Sequence, residues 1–367
     1  MIKALDKWLV PYLRQCITRC KTPVTDVMLA VCDHFEPFHD TDKEGALRRL
    51  SIWHEKLPKV ISSASDHEGH GPKHTFFYPN EQYDDEVIAS LAELCRATKN
   101  EIEVHLHHHD DTVANFRRSL DQGIREFRSH GLLGSNLQGQ PVFGFIHGNW
   151  ALDDSDPQGR GCGVRGELAI LKQAGCYADF TMPSAPHRTQ APIANQLYYS
   201  RSKPSGCSHH VGTRAAVGES GTRGLRDQQD WLLLVQGALG LDWRRRKWGL
   251  LPRIENSDLN SNNPPTAHRM HGWIRAEISV AGAENWRFVK LHTHGGPERN
   301  HPALIGETRQ RFHDDLAIVA AQSGFRLHYV SAREMVNVLH AAEDGHAGNA
   351  GEWRDYIYGQ PPCLQNT

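Results

Sequence analysis

Residues 101–111, EIEVHLHHHDD, decide the fold prediction for this chain. The first seven alternate polar and apolar side chains, which predicts a β-strand, and a run of His and Asp follows where that strand would end. Similar short strands are predicted over 25–32, 75–78, 142–146, 177–181, 288–292 and 326–330. Between them, helical spacing of apolar residues predicts helices over 84–98, 112–130, 166–174, 302–323 and 332–343. This alternation of strand and helix predicts an α/β fold with a parallel sheet.

Polar side chains recur at the carboxyl ends of the predicted strands, which favours a barrel over an open, doubly wound sheet. They are Asp33, His34, the run 105–109, His147, Asp179, His292 and His294. The active sites of α/β barrels gather at that face. We predict an N-terminal helical segment over 1–24, the barrel over 25–343 and a tail over 344–367. Residues 199–279 are rich in Gly, Ser, Arg and Asn and are predicted to form a long insertion between the fifth strand and a late strand.

The composition excludes several classes of protein. Hydrophobic residues make up 39% of the 367 positions, which supports a sizeable core and excludes a largely disordered chain. The formal net charge is -2, so no nucleic-acid partner is expected. No apolar run approaches the roughly 18 residues of a membrane span, and the N-terminus lacks the apolar core of a signal peptide. The eight scattered cysteines predict free thiols in a reducing compartment, so a cytoplasmic location is expected.

The 24 histidines point to metal chemistry, because imidazole is the commonest metal ligand. His105 and His109 have a spacing at which a strand end and a tight turn can bring two imidazoles to one divalent ion. A His-rich surface loop would show the same composition. Asp33 and His34 follow the first predicted strand, where a carboxylate beside a further ligand would suit metal-assisted hydrolysis. The alternative there is an ordinary strand-to-loop turn, in which Asp is common.

Another candidate lies near the end of the chain, in the segment 291–296, LHTHGG. His292 ends a predicted strand beside a flexible pair of glycines. It could protonate a leaving amine, or it could be a structural side chain that caps a loop.

The order of these motifs resembles the polysaccharide deacetylase family, also called the chitooligosaccharide deacetylase homology domain. The matching segments are 32–34 (CDH), 105–109 (HLHHH), 145–150 (FIHGNW), 178–180 (ADF) and 291–294 (LHTH), and they span most of the chain. The resemblance implies a distorted barrel of about seven strands. His34 stands where the family has a second carboxylate, and His147 stands where the family has an Arg. The chain is therefore expected to be a divergent member.

The resemblance also implies an activity, the removal of N-acetyl groups from an amino sugar in a polysaccharide or its precursor, as in exopolysaccharide synthesis. The enzyme would depend on a divalent metal, with zinc expected. The implied metal ligands are His34, His105 and His109. Asp33 would activate the water held by the metal, and His292 would protonate the leaving amine. Asp179 falls on the fourth motif and is also assigned a catalytic role. The residues assigned to saccharide contacts are His147, Trp150 and His294.

Two alternatives stay open. The missing Arg of the third motif is compatible with a non-catalytic, carbohydrate-binding or scaffolding member of the same fold, because a fold does not fix a function. The same pocket could also hydrolyse another bond with a metal ion. Metal content, measured together with deacetylation, separates the enzyme from the binding protein.

Overall fold

The computed structural model describes residues 3–18, 22–218 and 221–365. Its strands within those ranges are β1 (Asp26–His34), β2 (Thr75–Pro79), β3 (Glu101–Leu106), β4 (Gly134–Ser135), β5 (Pro141–His147), β6 (Cys176–Asp179), β7 (Leu197–Arg201), β8 (Thr213–Arg214), β9 (Trp231–Val235), β10 (Gly240–Lys247), β11 (Leu251–Glu255), β12 (Asp258–Leu259), β13 (Trp286–Thr293) and β14 (Arg326–Tyr329). Its α-helices are α1 (Leu5–Ile17), α2 (Lys43–Ser62), α3 (Asp85–Thr98), α4 (Val113–Ser129), α5 (Glu167–Gln173), α6 (Arg223–Arg226), α7 (Ala267–Arg275), α8 (His301–Leu304), α9 (Glu307–Ser323) and α10 (Ala332–Glu343).

The main sheet is parallel over most of its width, which confirms the predicted α/β class. Its order is β12-β13-β1-β2-β3-β5-β6-β9-β7-β8, with β14 also paired to β1 and β4 to β5. All neighbours from β12 to β9 run parallel, whereas β7 and β8 join antiparallel beyond β9. Every residue of β1 is buried, as expected for a central strand with both faces covered.

The sheet curls strongly, as a barrel does. Five strand spacings separate β13 from β6, which would put them about 24 Å apart in a flat sheet. Nevertheless Lys290 on β13 reaches the chain just after β6, and its Nζ donates to the carbonyl of Met182 over 3.1 Å. The two ends of the parallel run also meet, because Ser257 Oγ donates to the carbonyl of Ala238 over 2.8 Å. No strand pairing in the described ranges closes the circle.

The segments outside the predicted strands contribute more than expected. The stretch 199–279 supplies β9 and β12 to the parallel run, and the hairpin β10–β11 projects from it. Helix α2, absent from the sequence prediction, packs the buried side chains of Leu50, Trp53 and Leu57 against the sheet. The predicted helix over 302–323 is interrupted before α9. The C-terminal segment is packed, since Arg354 bonds Asp66 over 2.6 Å.

Two further expectations can be compared with the described part of the chain. None of its helices is both long and apolar enough to cross a bilayer. No disulfide joins Cys32, Cys95, Cys162, Cys176, Cys207 or Cys363. Cys20 and the first two residues of the helical segment predicted over 1–24 lie outside the described residues.

Candidate functional site

Two histidines and one glutamate meet at the carboxyl ends of the central strands. His34 is the last residue of β1, His105 lies near the end of β3, and Glu36 follows His34 by two residues. One ligand atom from each lies within 4.8 Å of the others. The rings of His34 and His105 are 5.1 Å apart. We call His34, Glu36 and His105 the central site.

The central site presents unprotonated nitrogen to its middle. His105 Nδ1 donates to the carbonyl of Ile146 over 2.7 Å, which fixes the proton on Nδ1 and leaves the Nε2 lone pair free. That Nε2 lies 3.5 Å from Glu36 Oε1. The buried Nε2 atoms of His34 and His105 find no hydrogen-bond partner among the described residues. Two orphaned imidazole nitrogens beside a carboxylate suit a divalent cation such as Zn²⁺.

Glu36 is held in its ionised form. Burial alone would raise its pKa, but the adjacent imidazoles of His105 and His107 outweigh that effect and lower the pKa of the Glu36 carboxyl. His107 Nε2 lies 3.4 Å from Glu36 Oε1, and its Nδ1 lies 2.7 Å from Glu81 Oε1. Although burial opposes protonation of His107, these two carboxylates raise its pKa to about 9. A cationic His107 therefore braces Glu36 from outside the central site.

A cavity of about 1670 Å³ opens above the central site. Its walls include His34, Glu36, Trp150, His292 and His294. The rings of His294 and Trp150 lie 4.7 and 6.2 Å from that of His34. A space of this size is large enough for a saccharide, and an indole face at its wall is a common platform for a sugar ring.

The loop that carries Trp150 has unusual backbone geometry. Asn149 and Trp150 have φ angles of 57° and 54°, and Asp153 and Asp154 have φ angles of 53° and 56°. Left-handed backbone costs about 1 kcal/mol for a residue with a side chain, and it is rare for a bulky one. Four such residues within six positions need strong contacts to hold them.

Asp33 does not reach the cavity. Neighbouring residues of a strand point to opposite faces, so Asp33 faces away from the side of β1 that carries His34. Its fully buried carboxylate accepts from Gly295 N over 2.6 Å and from His74 Nε2 over 2.8 Å. An imidazole and a backbone amide thus hold this carboxylate. Through Gly295, Asp33 fixes the turn that carries His294.

Three other predicted residues also lie away from the cavity wall. The side chain of His109 is 56% exposed, with its Nδ1 accepting from Gly161 N over 2.8 Å. Asp179 is buried and accepts from the Thr181 hydroxyl over 2.7 Å, while burial raises its pKa to about 7. His147 turns toward a different group of side chains. Of the predicted residues, the structure brings together His34, His105, His292, His294 and Trp150.

A second buried group could also hold a metal ion. It consists of His108, His147, Cys162 and Glu167, whose ligand atoms all lie within 4.8 Å of one another. We call these four residues the second cluster. Sequence reasoning did not single out Cys162 or Glu167, because no local spacing links them to the histidines. Glu36, by contrast, carried a signal, since it follows His34 by two residues in an acidic and aromatic turn.

Comparisons with known proteins add little to this geometry. No family model and no curated protein matches the chain, so membership of the polysaccharide deacetylase family stays a prediction. Among solved structures, a 4-alpha-glucanotransferase from Thermococcus litoralis is similar, with 9% identity and a TM-score of 0.41. The match covers 86% of this chain and 40% of that enzyme. A likeness of that size says nothing about activity.

Proposed function

We propose that this protein is a metal-dependent hydrolase that removes an N-acetyl group from an amino sugar. One observation carries the proposal. The unpartnered Nε2 atoms of His34 and His105 converge with the Glu36 carboxylate, and His34 and Glu36 line a saccharide-sized cavity. The deacetylation itself follows from the resemblance of the motifs.

The ligand set in this proposal is His34, Glu36 and His105, with Glu36 in the role that the motif resemblance assigns to His109. A divalent ion held there supplies Lewis acidity toward an acyl oxygen. The hydrogen bond from His105 Nδ1 to Ile146 fixes the ring for ligation, as outer partners do in metal sites. His107 holds the Glu36 carboxylate from behind.

Proton transfer is assigned to two histidines of the cavity wall. Burial lowers the pKa of both His292 and His294, so both imidazoles are neutral near pH 7 and able to accept a proton. The His294 ring is the nearer to His34, at 4.7 Å against 6.1 Å for His292. We assign the proton of the attacking water to His294, and His292 would protonate the leaving amine only after it has itself accepted a proton, from His294 or from solvent. Asp33 is a positioning residue that acts through Gly295.

The test pairs a deacetylation assay with metal analysis. His294→Gln should keep the metal and the fold while kcat on an N-acetylated oligosaccharide falls by about 10²–10⁴-fold. The matched control is His187→Gln, because His187 lines the same cavity but bonds Thr189 over 2.9 Å. Its kcat should stay within a few-fold of wild type. Equal losses in both variants would remove His294 from the mechanism.

One observation favours a second candidate, a carbohydrate-binding protein without activity. The carboxylate of Asp33 faces His74 and Gly295 instead of the cavity, so the first motif supplies no carboxylate of its own to the substrate. A metal-loaded protein that binds N-acetylated oligosaccharides without turnover would support this candidate over the hydrolase.

A further inference from the structure

In the second cluster the Nε2 atoms of His108 and His147 point at each other. His108 Nδ1 lies 3.0 Å from Asp111 Oδ2, and His147 Nδ1 contacts the carbonyl of Gly148. A carboxylate and a carbonyl only accept hydrogen bonds, so both rings carry their proton on Nδ1. The two Nε2 atoms, which carry no proton when both rings are neutral, face each other over only 2.8 Å. Some cation must lie between them.

The remaining members of the cluster add further electron-rich atoms. Glu167 Oε1 lies 3.3 Å from His108 Nε2 and 3.5 Å from His147 Nε2, and it finds no hydrogen-bond donor in the part of the chain that the structure describes. Cys162 Sγ lies beside the other carboxylate oxygen and accepts from Val164 N over 3.3 Å. The same sulfur donates to Glu167 Oε2 over 3.7 Å, so it is a thiol until a metal ion displaces its proton. His147, Cys162 and Glu167 are fully buried.

Two cations could resolve the conflict, a shared proton or a metal ion. A proton shared by the two imidazoles would leave Glu167 Oε1 without a donor, and the Cys162 thiol would make only its long contacts to Val164 O and Glu167 Oε2. A metal ion would use all four groups. The ligand atoms of tetrahedral Zn²⁺ lie about 3.3–3.7 Å apart, close to the carboxylate separations here, and the two Nε2 atoms, now 2.8 Å apart, would move apart to share the ion. Two imidazoles, a thiolate and a carboxylate form a set that suits zinc. Four protein ligands without an open position are typical of a structural site.

We propose that His108, His147, Cys162 and Glu167 bind one structural Zn²⁺ ion that fixes the loop carrying Trp150. The ion would join the end of β5 to the first turn of α5, and Cys162 would anchor the chain between them. Residues 148–166 form that intervening loop, which contains the four left-handed residues. Its conformation is costly unless both ends and a point in the middle are held. This site is separate from the central site and does not depend on the proposed activity.

The sulfur ligand gives the second cluster its own signature. Wild-type protein reconstituted with Co²⁺ should show sulfur-to-cobalt charge-transfer absorption in the near ultraviolet, because the central site contains no sulfur. Cys162→Ser should abolish that band and lower the bound zinc by about one equivalent per chain. The matched control is Cys176→Ser, an equally buried thiol outside the cluster, which should change neither.

The outcomes separate the two sites. His34→Asn should remove one equivalent and leave the sulfur-to-cobalt band intact, so failure of the central site alone would not affect this result. Cobalt bound to folded wild-type protein without a sulfur-to-cobalt band would overturn the proposal, even if Cys162→Ser failed to fold. Zinc content unchanged in a folded Cys162→Ser variant would also overturn it and would favour the shared proton.

Discussion

The substitution Asp33→Asn tests whether the Asp33 carboxylate positions the turn at Gly295 or faces the substrate. Asp33 is fully buried and accepts hydrogen bonds from Gly295 N and His74 Nε2. An asparagine keeps one oxygen for Gly295, but its amide replaces the oxygen that faces His74. His74 can then accept through Nε2 only by moving its proton to Nδ1, which is buried and lacks a partner among the described residues.

The expected cost follows from those two bonds. Hydrogen bonds to a charged group contribute about 1.5–3 kcal/mol, and neutral ones about 0.5–1.5 kcal/mol. Asp33→Asn should therefore lower the free energy of unfolding by about 2 kcal/mol. Asp33→Ala leaves both buried donors without an acceptor and should cost about 4 kcal/mol. Asp315→Asn, on the exposed face of α9, is the control and should stay within about 0.5 kcal/mol of wild type.

Urea unfolding and metal analysis of the same preparations test this prediction. The metal content of Asp33→Asn should equal that of wild type, because the side chain points away from the face of β1 that carries His34. If Asp33→Asn is as stable as wild type, the two hydrogen bonds to Asp33 do not contribute the stability assigned to them. A folded variant that releases one equivalent of metal would make Asp33 a ligand and refute the geometric reasoning.

Three further predictions concern the turn, the sheet and the cavity. Gly295→Ala would push its new methyl group into the Asp33 carboxylate and should lower the free energy of unfolding in urea by about 1–3 kcal/mol. The control Gly272→Ala adds a methyl group in open space on α7 and should raise that free energy by about 0.5–1 kcal/mol. Burial raises the pKa of Glu103 from 4.5 to about 8. Between those values the folded state keeps the carboxyl neutral while the unfolded chain ionises it, so stability falls as pH rises. Glu103→Gln should therefore gain stability relative to wild type by up to about 1.4 kcal/mol per pH unit between those values, and a pH-independent difference would contradict this. Trp150→Ala should weaken oligosaccharide binding about tenfold by calorimetry without changing central-site metal, and unchanged affinity would remove the indole from the binding surface.

Sequence periodicity was sufficient for the strands that build the centre of the sheet. The apolar run of β1 and the alternation of β3 place both strands, and the parallel order follows from the helices between them. Helix α2 was missed because its apolar positions are separated by many charged residues and Pro58 interrupts its last turns. Strand β9 was missed because its short run, WLLLV, lies in a segment otherwise rich in Gly and Arg.

The candidate site was predictable where strand ends converge and unpredictable where one residue of register matters. β1 continues to His34, so strand alternation separates Asp33 from it although the two are adjacent in sequence. β3 ends at Leu106, and Asp110 adopts a left-handed backbone with φ 49°, which leaves His109 exposed. The three-residue separation of His105 and His109 does not show where the backbone turns between them. The second cluster depends on a loop of strained conformation that no periodic pattern describes.

Metal content of three single variants tests the central claim most directly. Wild-type protein, His34→Asn, Glu36→Gln and His109→Asn would be purified without chelator and analysed for bound divalent metal. The account predicts that the His34 and Glu36 variants each lose about one equivalent per chain, while the exposed His109 variant keeps the wild-type content. Loss of metal from His109→Asn together with full retention in Glu36→Gln would contradict the ligand set His34, Glu36 and His105.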